Sequence, residues 1–187
     1  SGTIAYLGTD NSAHYIEELG MKTISIADVD IHDVADISAL VLLDDEGFDW
    51  NYDLSKVVNL LRKKSIPVIV ANTDASYPVS RDQVAIAVGS IADMVENILG
   101  RTFIKFGKPD AQMFNFAYEH ISDGKIIPRN KILMVGDTLF TDIIGGNKFG
   151  IDTALVLTGN TSPENYKSRI KSSGIIPDYI CESAVID

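Results

Sequence analysis

Cysteine is almost absent from this chain. Cys181 is the only one in 187 residues, which excludes an internal disulfide and any zinc site built from several thiolates. A small buried hydrophobe is the expected role for that lone thiol. No stretch approaches the roughly 18 to 20 apolar residues that span a bilayer, and no basic, apolar leader opens the chain, so no membrane partner and a cytoplasmic location are expected. Glycine-rich nucleotide loops are missing too. Neither Gly-x-Gly-x-x-Gly after a strand nor Gly-x-x-x-x-Gly-Lys-Ser/Thr occurs, and the pair Gly107-Lys108 runs into Pro109, which lacks the N–H a phosphate-cradling loop would use. The three histidines, His14, His32 and His120, share no metal-ligand spacing. Positive charge is scarce. The net charge is −10, and the whole excess lies in residues 1–100, with 16 acidic against 6 basic residues, while residues 101–187 hold 10 of each. Arg62-Lys63-Lys64 is the one basic run and reads as the solvated end of a helix, so nucleic acid is excluded as a partner.

What is present is an alternation of strands and helices. Strands are expected over 3–7, 22–26, 39–43 and 67–70, with helices over 11–19, from a cap at Asp53 through Leu61, and over 90–99. The segment 44–49 reads as an acidic loop, and Asn72-Thr73-Asp74 followed by Tyr77-Pro78 as a loop at a strand's carboxyl end. The second half alternates more strictly: strand 103–106, helix 110–121, strand 131–136, helix 141–149, strand 153–157, helix 163–172, strand 178–180. That order predicts a parallel sheet with crossover helices. Pro109 suits a first helical turn, and Gly150 the left-handed residue that ends a helix.

In such sheets, ligands bind beyond the carboxyl ends of strands. Two segments aim chemistry there. Lys131-Ile-Leu-Met-Val-Gly136 is an apolar strand that delivers Asp137 and then Asp142 into the turn before a helix bearing Gly145 and Gly146. Phe103-Ile-Lys-Phe-Gly107 delivers Lys108 in the same way. Phosphoryl transfer requires a divalent cation and neutralisation of charge on the phosphoryl oxygens. Asp137 suits magnesium, which takes carboxylate oxygens and keeps several waters. Asp142 is placed to hold a metal-bound water or to orient its neighbours, and Lys108 to be a fixed positive charge beside the phosphoryl group. Gly107 and Gly136 give room for close backbone approach, and Thr138 and Thr141 offer hydroxyls to support the loop. A strand-ending acid is also a common helix cap. The 29 residues between Lys108 and Asp137 fit one helix and one strand, so both side chains reach the same sheet edge.

Gly107-Lys108-Pro109 with Gly136-Asp137-Thr138-Leu139-Phe140-Thr141-Asp142 and Gly145-Gly146 resembles the third and fourth motifs of haloacid-dehalogenase (HAD) superfamily phosphatases. The resemblance is strongest to class IIA, the sugar-phosphate and p-nitrophenyl phosphatases with a large α/β cap. It implies an α/β fold: residues 1–100 as the cap, and residues 101–187 as the C-terminal half of a Rossmann-like parallel-sheet core. It also implies hydrolysis of small phosphate esters with Mg2+ as cofactor, Lys108 contacting the phosphoryl group, and Asp137 binding the metal, with Asp142 joining the metal site on the reading of the residues given above. Asn72, Thr73 and Asp74 resemble the cap loop that reaches toward substrate, and their polar groups suit a hydroxylated leaving group. Read without the resemblance, they form a strand-ending turn.

The family's nucleophile motif, Asp-x-Asp-Gly, has no counterpart here. Asp28-Val29-Asp30 has the carboxylate spacing but is followed by Ile31-His32, and reads as a solvated loop. The Ser/Thr motif is missing as well, since Thr9 lies within the cap region. The expectation is therefore that this chain is the C-terminal part of a longer phosphatase, inactive alone, whose partners are a small phosphorylated metabolite and the missing N-terminal segment. A second copy of the chain is a further partner to which no residues are assigned. The competing reading is a non-catalytic ligand-binding or regulatory remnant. Asn160-Thr161-Ser162 matches a glycosylation sequon that a cytoplasmic chain would not use.

Overall fold

A computed structural model describes residues 2–80 and 83–185. The chain divides into two compact units: Ser1–Ser76 with Ala85–Phe106, and Tyr77–Val84 with Gly107–Asp187. The boundary expected at residue 100 thus falls inside the first unit.

The first unit is a five-stranded parallel sheet flanked by helices. Its strands are β1 (Thr3–Leu7), β2 (Thr23–Ser25), β3 (Ile37–Leu42), β4 (Val68–Val70) and, after the segment β5–β6 described below, β7 (Ile104–Lys105), in the order β2-β1-β3-β4-β7. β7 explains the boundary. Ile104 and Lys105 pair with Ile69 and Val70 of β4, so the strand that leads to Lys108 completes the first sheet. The helices are α1 (Asp10–Glu17), α2 (Tyr52–Lys63) and α3 (Val88–Leu99). The apolar faces of α2 and α3 put Leu54, Val57, Leu60, Leu61, Ile91, Ala92 and Val95 into one continuous core with Leu40, Leu42, Val68 and Val70. Gly100 ends α3 in the left-handed region, at φ +64°.

Local chemistry at the start of α2 differs from the sequence reading. Asp49, not Asp53, accepts the N–H groups of Asn51 and Tyr52, at 2.9 and 2.6 Å, while the buried Asp53 reaches back to the Asp49 N–H at 2.9 Å. This reciprocal arrangement satisfies donors that a helix start leaves unpaired. The basic run at the end of α2 is not simply solvated. Lys63 donates to the Ile31 carbonyl, and Lys64 to those of Val34 and Ala35, so two of the three cations tie down the 31–35 loop.

β5 (Ser76–Ser80) and β6 (Gln83–Ile86) pair as a two-stranded ribbon, where a loop was expected at Tyr77-Pro78. Proline is tolerated on edge strands, and both strands of a two-stranded ribbon are edges.

The second unit carries β8 (Leu133–Gly136), β9 (Asp152–Val156) and β10 (Tyr179–Cys181), parallel and in the order β10-β9-β8. Its helices are α4 (Ala111–Ser122), α5 (Ile144–Phe149) and α6 (Tyr166–Ser173). Asp110 caps α4 through the Gln112 N–H at 2.7 Å, so Pro109 lies before the cap and not in the first turn. A Cβ on Gly146 would overlap Thr153, and one on Gly145 would overlap the Phe114 ring, so α5 packs closely on the sheet through one glycine and on α4 through the other. Gly150 ends α5 at φ +79°. Cys181 is exposed on the outer strand β10, not buried. Among the described residues, no helix is long and apolar enough to cross a membrane.

Candidate functional site

The site grows from the end of β8. After Gly136 the chain leaves the sheet at Asp137 and makes one wide helical turn over Leu139–Ile143 before entering α5. Leu139 and Ile143 are the buried anchors of that turn, packed with Leu155, Leu157 and Ile175. The turn folds Asp142 back under the strand end, where its Oδ2 accepts the Thr138 N–H at 3.0 Å. A Cβ on Gly136 would overlap the Asp142 carboxylate. Room for Asp142, rather than for a metal, is thus the reason for glycine at 136.

Lys108 arrives from the other segment. Gly107 holds φ +127°, a backbone open mainly to glycine, and the Lys108 ammonium stands 2.8 Å from Asp142 Oδ1. The Asp142 side chain is only 3% exposed and Lys108 30%. A carboxylate this deeply buried is costly unless paired, and here the ammonium and one backbone N–H supply the pairing.

Asp137 is held independently. Its Oδ1 accepts from the Thr138 hydroxyl at 2.9 Å, and its Oδ2 from the Asn160 N–H at 2.7 Å. The carboxylate lies so close to Gly159 that a Cβ there would overlap it. Both acids are therefore bonded to Thr138, one through its N–H and one through its hydroxyl. Lys108 joins the same network through Asp142. Thr141, offered above as a second supporting hydroxyl, is buried with no hydrogen-bond partner for its Oγ1 among the described residues, as is Thr161.

Sequence reasoning missed Gly159 and Asn160. The glycosylation match drew attention to the wrong property of Asn160, and no local pattern ties residue 160 to residue 137.

Asn72, Thr73 and Asp74 lie in the first unit, after β4. The Asp74 N–H donates to Asn72 Oδ1 at 2.9 Å, and Asp74 in turn accepts the Gly89 N–H at 3.1 Å. A Cβ on Gly89 would overlap the Thr73 and Asp74 carbonyls, so the loop is seated on the first turn of α3. Thr9 caps α1, and its N–H and hydroxyl both donate to Asp44 Oδ2, at 3.1 and 2.8 Å. In the Asp28-Val29-Asp30 segment Val29 is buried and Asp30 accepts the His32 N–H at 2.9 Å, so it is a packed turn.

No group of three or more acidic, histidine or cysteine side chains that could hold a metal occurs among the described residues. Magnesium usually takes only one or two protein carboxylates, completing its shell with water and substrate oxygens. Two carboxylates, those of Asp137 and Asp142, stand at this strand end, a number that suits such a site. Among the described residues, each Asp137 oxygen accepts one protein donor where an oxygen can accept two, whereas Asp142 is paired with Lys108.

Fold and site together define an α/β protein with a lysine and two aspartates at the carboxyl edge of a parallel sheet. Comparison with known proteins carries this further. The HAD-hydrolase-like family model matches residues 105–184. The structure of a possible sugar phosphatase of the HAD superfamily from Cytophaga hutchinsonii is 58% identical with a TM-score of 0.92, covering 100% of this chain and 66% of that one. A 4-nitrophenylphosphatase from Thermotoga maritima is 27% identical with a TM-score of 0.74, covering 97% of this chain and 62% of that one. Chronophin from Bos taurus is 29% identical over 184 residues, 97% of this chain and 60% of chronophin. The chain belongs to the haloacid-dehalogenase superfamily, in its class IIA phosphatase group. It spans about two thirds or less of the length of these relatives.

Proposed function

We propose that the second unit supplies the cationic and metal-binding part of a site that hydrolyses small phosphate monoesters with magnesium, sugar phosphates being the favoured class. The observation that carries this is the pairing of Lys108 with Asp142 at 2.8 Å, joined through Thr138 to Asp137. In this reading Asp137 would hold the magnesium with Asp142 as the second carboxylate of the site, and Asp142 keeps the Lys108 ammonium in place. Bound there, magnesium would neutralise negative charge on the phosphoryl oxygens. Lys108 does the same from the protein side, and it is fixed before substrate arrives, so little reorganisation is needed.

The nucleophile lies outside these 187 residues, as an aspartate in the remainder of a longer protein. Its carboxylate attacks phosphorus, the P–O bond to the leaving group breaks, and a second acid protonates that leaving oxygen. Water then hydrolyses the acyl phosphate. Residues 107–187 are accordingly half of a core. The exposure of Leu133 and Val135 on β8, at 49% and 45%, supports this, because parallel sheets are ordinarily covered on both faces. The first unit acts as the cap, and the seated loop Asn72-Thr73-Asp74 offers polar groups to the sugar hydroxyls. The relatives named as sugar and nitrophenyl phosphatases support the same substrate class.

The test is hydrolysis of p-nitrophenyl phosphate by the full-length protein across a magnesium titration. Lys108→Ala is expected to lower kcat on the order of 10²- to 10³-fold and also to lower the melting temperature, because the buried Asp142 loses its ammonium partner, and the 187-residue chain alone is expected to be inert. Near-normal turnover by the variant would remove Lys108 from the mechanism. Robust turnover by the isolated chain would place the nucleophile within it.

A further inference from the structure

We propose that Asn160 is a positioning residue for Asp137, acting through the Thr138 hydroxyl; the inference rests on the reading of Asp137 as the magnesium ligand. Three short bonds build the relay. Asn160 Nδ2 donates to Thr138 Oγ1 at 2.8 Å, Thr138 Oγ1 stands 2.9 Å from Asp137 Oδ1, and the Asn160 N–H reaches Asp137 Oδ2 at 2.7 Å.

The polarity of this relay is fixed by elementary chemistry. An ionised carboxylate only accepts, so the single proton of the Thr138 hydroxyl goes to Asp137, and the oxygen's own lone pairs face a donor. The Asn160 amide is that donor. With it in place, the hydroxyl has one low-energy orientation; without it, the proton is free to rotate away from Asp137. Gly159 leaves the space that the carboxylate occupies, and Arg169 on α6 donates to the Asn160 carbonyl, so the residue that holds Asp137 is itself held by a helix. Both oxygens of Asp137 are thereby set before any ion binds. Groups that orient a metal ligand in this way typically change affinity by about 10- to 100-fold when removed.

The experiment uses the full-length protein and Mn2+ alone as the probe, with free ion read by electron paramagnetic resonance, so that no turnover is needed. Asn160→Ala keeps the backbone N–H on Asp137 and removes only the side-chain donor. Its Kd for Mn2+ is expected to rise on the order of 10-fold, with the melting temperature in chelator unchanged. Thr138→Ala is expected to weaken binding at least as much, and Thr138→Ser, which keeps the hydroxyl, to bind like the parent. In the double variant, Asn160→Ala is expected to add nothing to Thr138→Ala, as a relay requires. Thr138→Ala changes no residue of the 158–162 loop and keeps the Asn160 N–H on Asp137, so the relay remains testable if Asn160→Ala does not fold. A wild-type Kd in Asn160→Ala, or additive losses in the double variant, overturns the inference. Asp137→Asn separates it from the reading beneath: unchanged Mn2+ binding there defeats the ligand assignment itself, whereas lost binding there with a normal Asn160→Ala defeats the relay alone.

Discussion

The central strand of the first unit, β3, buries Leu40, Val41 and Leu42, and its neighbours β1 and β4 bury Ala5, Leu7, Val68 and Val70 beneath two amphipathic helices. The site strand of the second unit, β8, does the opposite, leaving Leu133 and Val135 about half exposed, and its unit holds two smaller apolar clusters in place of one continuous core. One unit is thus organised around packing and the other around polar partners at a strand end. Burial stabilises at roughly 25 cal/mol per Å2 of apolar surface, so the first unit has the stronger hydrophobic basis for folding. The charged groups at 108, 137 and 142 are collected where apolar cover is thinner.

The sharpest way to break this contrast is Gly136→Ala. The added methyl collides with the Asp142 carboxylate, which must leave its pocket and release Lys108. A loss of phosphatase turnover on the order of 10²-fold is expected, measured as kcat in the full-length protein; full activity would mean that the Lys108–Asp142 pair is dispensable. Next in size is a packing comparison. Leu40→Ala is expected to cost roughly 2 to 5 kcal/mol, and Val135→Ala less than about 1 kcal/mol in this chain because its side chain is already half in water. Urea unfolding of both variants decides it, and equal penalties would erase the distinction between the units.

The smallest effect concerns Tyr6, whose hydroxyl donates to Asp10 at 2.6 Å. Burial first, and then the hydrogen bond to Asp10, pushes its phenol from 10.0 up to about 12. The folded state therefore holds this proton more tightly than the unfolded chain. Its contribution to stability is fully present below pH 10.0 and is lost as the pH climbs toward about 12. Tyr6→Phe is expected to lower stability by about 1 kcal/mol at neutral pH and to flatten that alkaline decline. An identical pH profile for the variant in urea melts would show that Tyr6 is not its source.

Much of the second unit was legible because its chemistry is local. Asp137 and Asp142 lie on one short segment after an apolar strand, and Gly145 and Gly146 share the helix that follows. Lys108 was readable from its own strand end, although that strand belongs to the neighbouring sheet, since pairing between β4 and β7 has no local signal. The ribbon β5–β6 was illegible for a related reason. Tyr77-Pro78 resembles a loop by propensity, and only pairing with a second strand makes it extended. The reciprocal bonds of Asp49 and Asp53 and the carbonyl contacts of Lys63 and Lys64 depend on where a flanking segment passes, which composition does not encode.

Outside the β5–β6 ribbon, periodicity and punctuation alone determined the order of strands and helices, the parallel character of the second unit's sheet, and the residue types that meet at the strand ends. Tertiary structure decided which oxygen faces which donor. It put Asp142 under Lys108, made Gly136 a space for a carboxylate, and turned Asn160 from an apparent surface motif into a partner of Thr138 and Asp137. The physical reason is reach: hydrophobic patterns act over a few residues along the chain, whereas a hydrogen bond of about 3 Å joins residues 22 positions apart only after the sheet has brought their loops together.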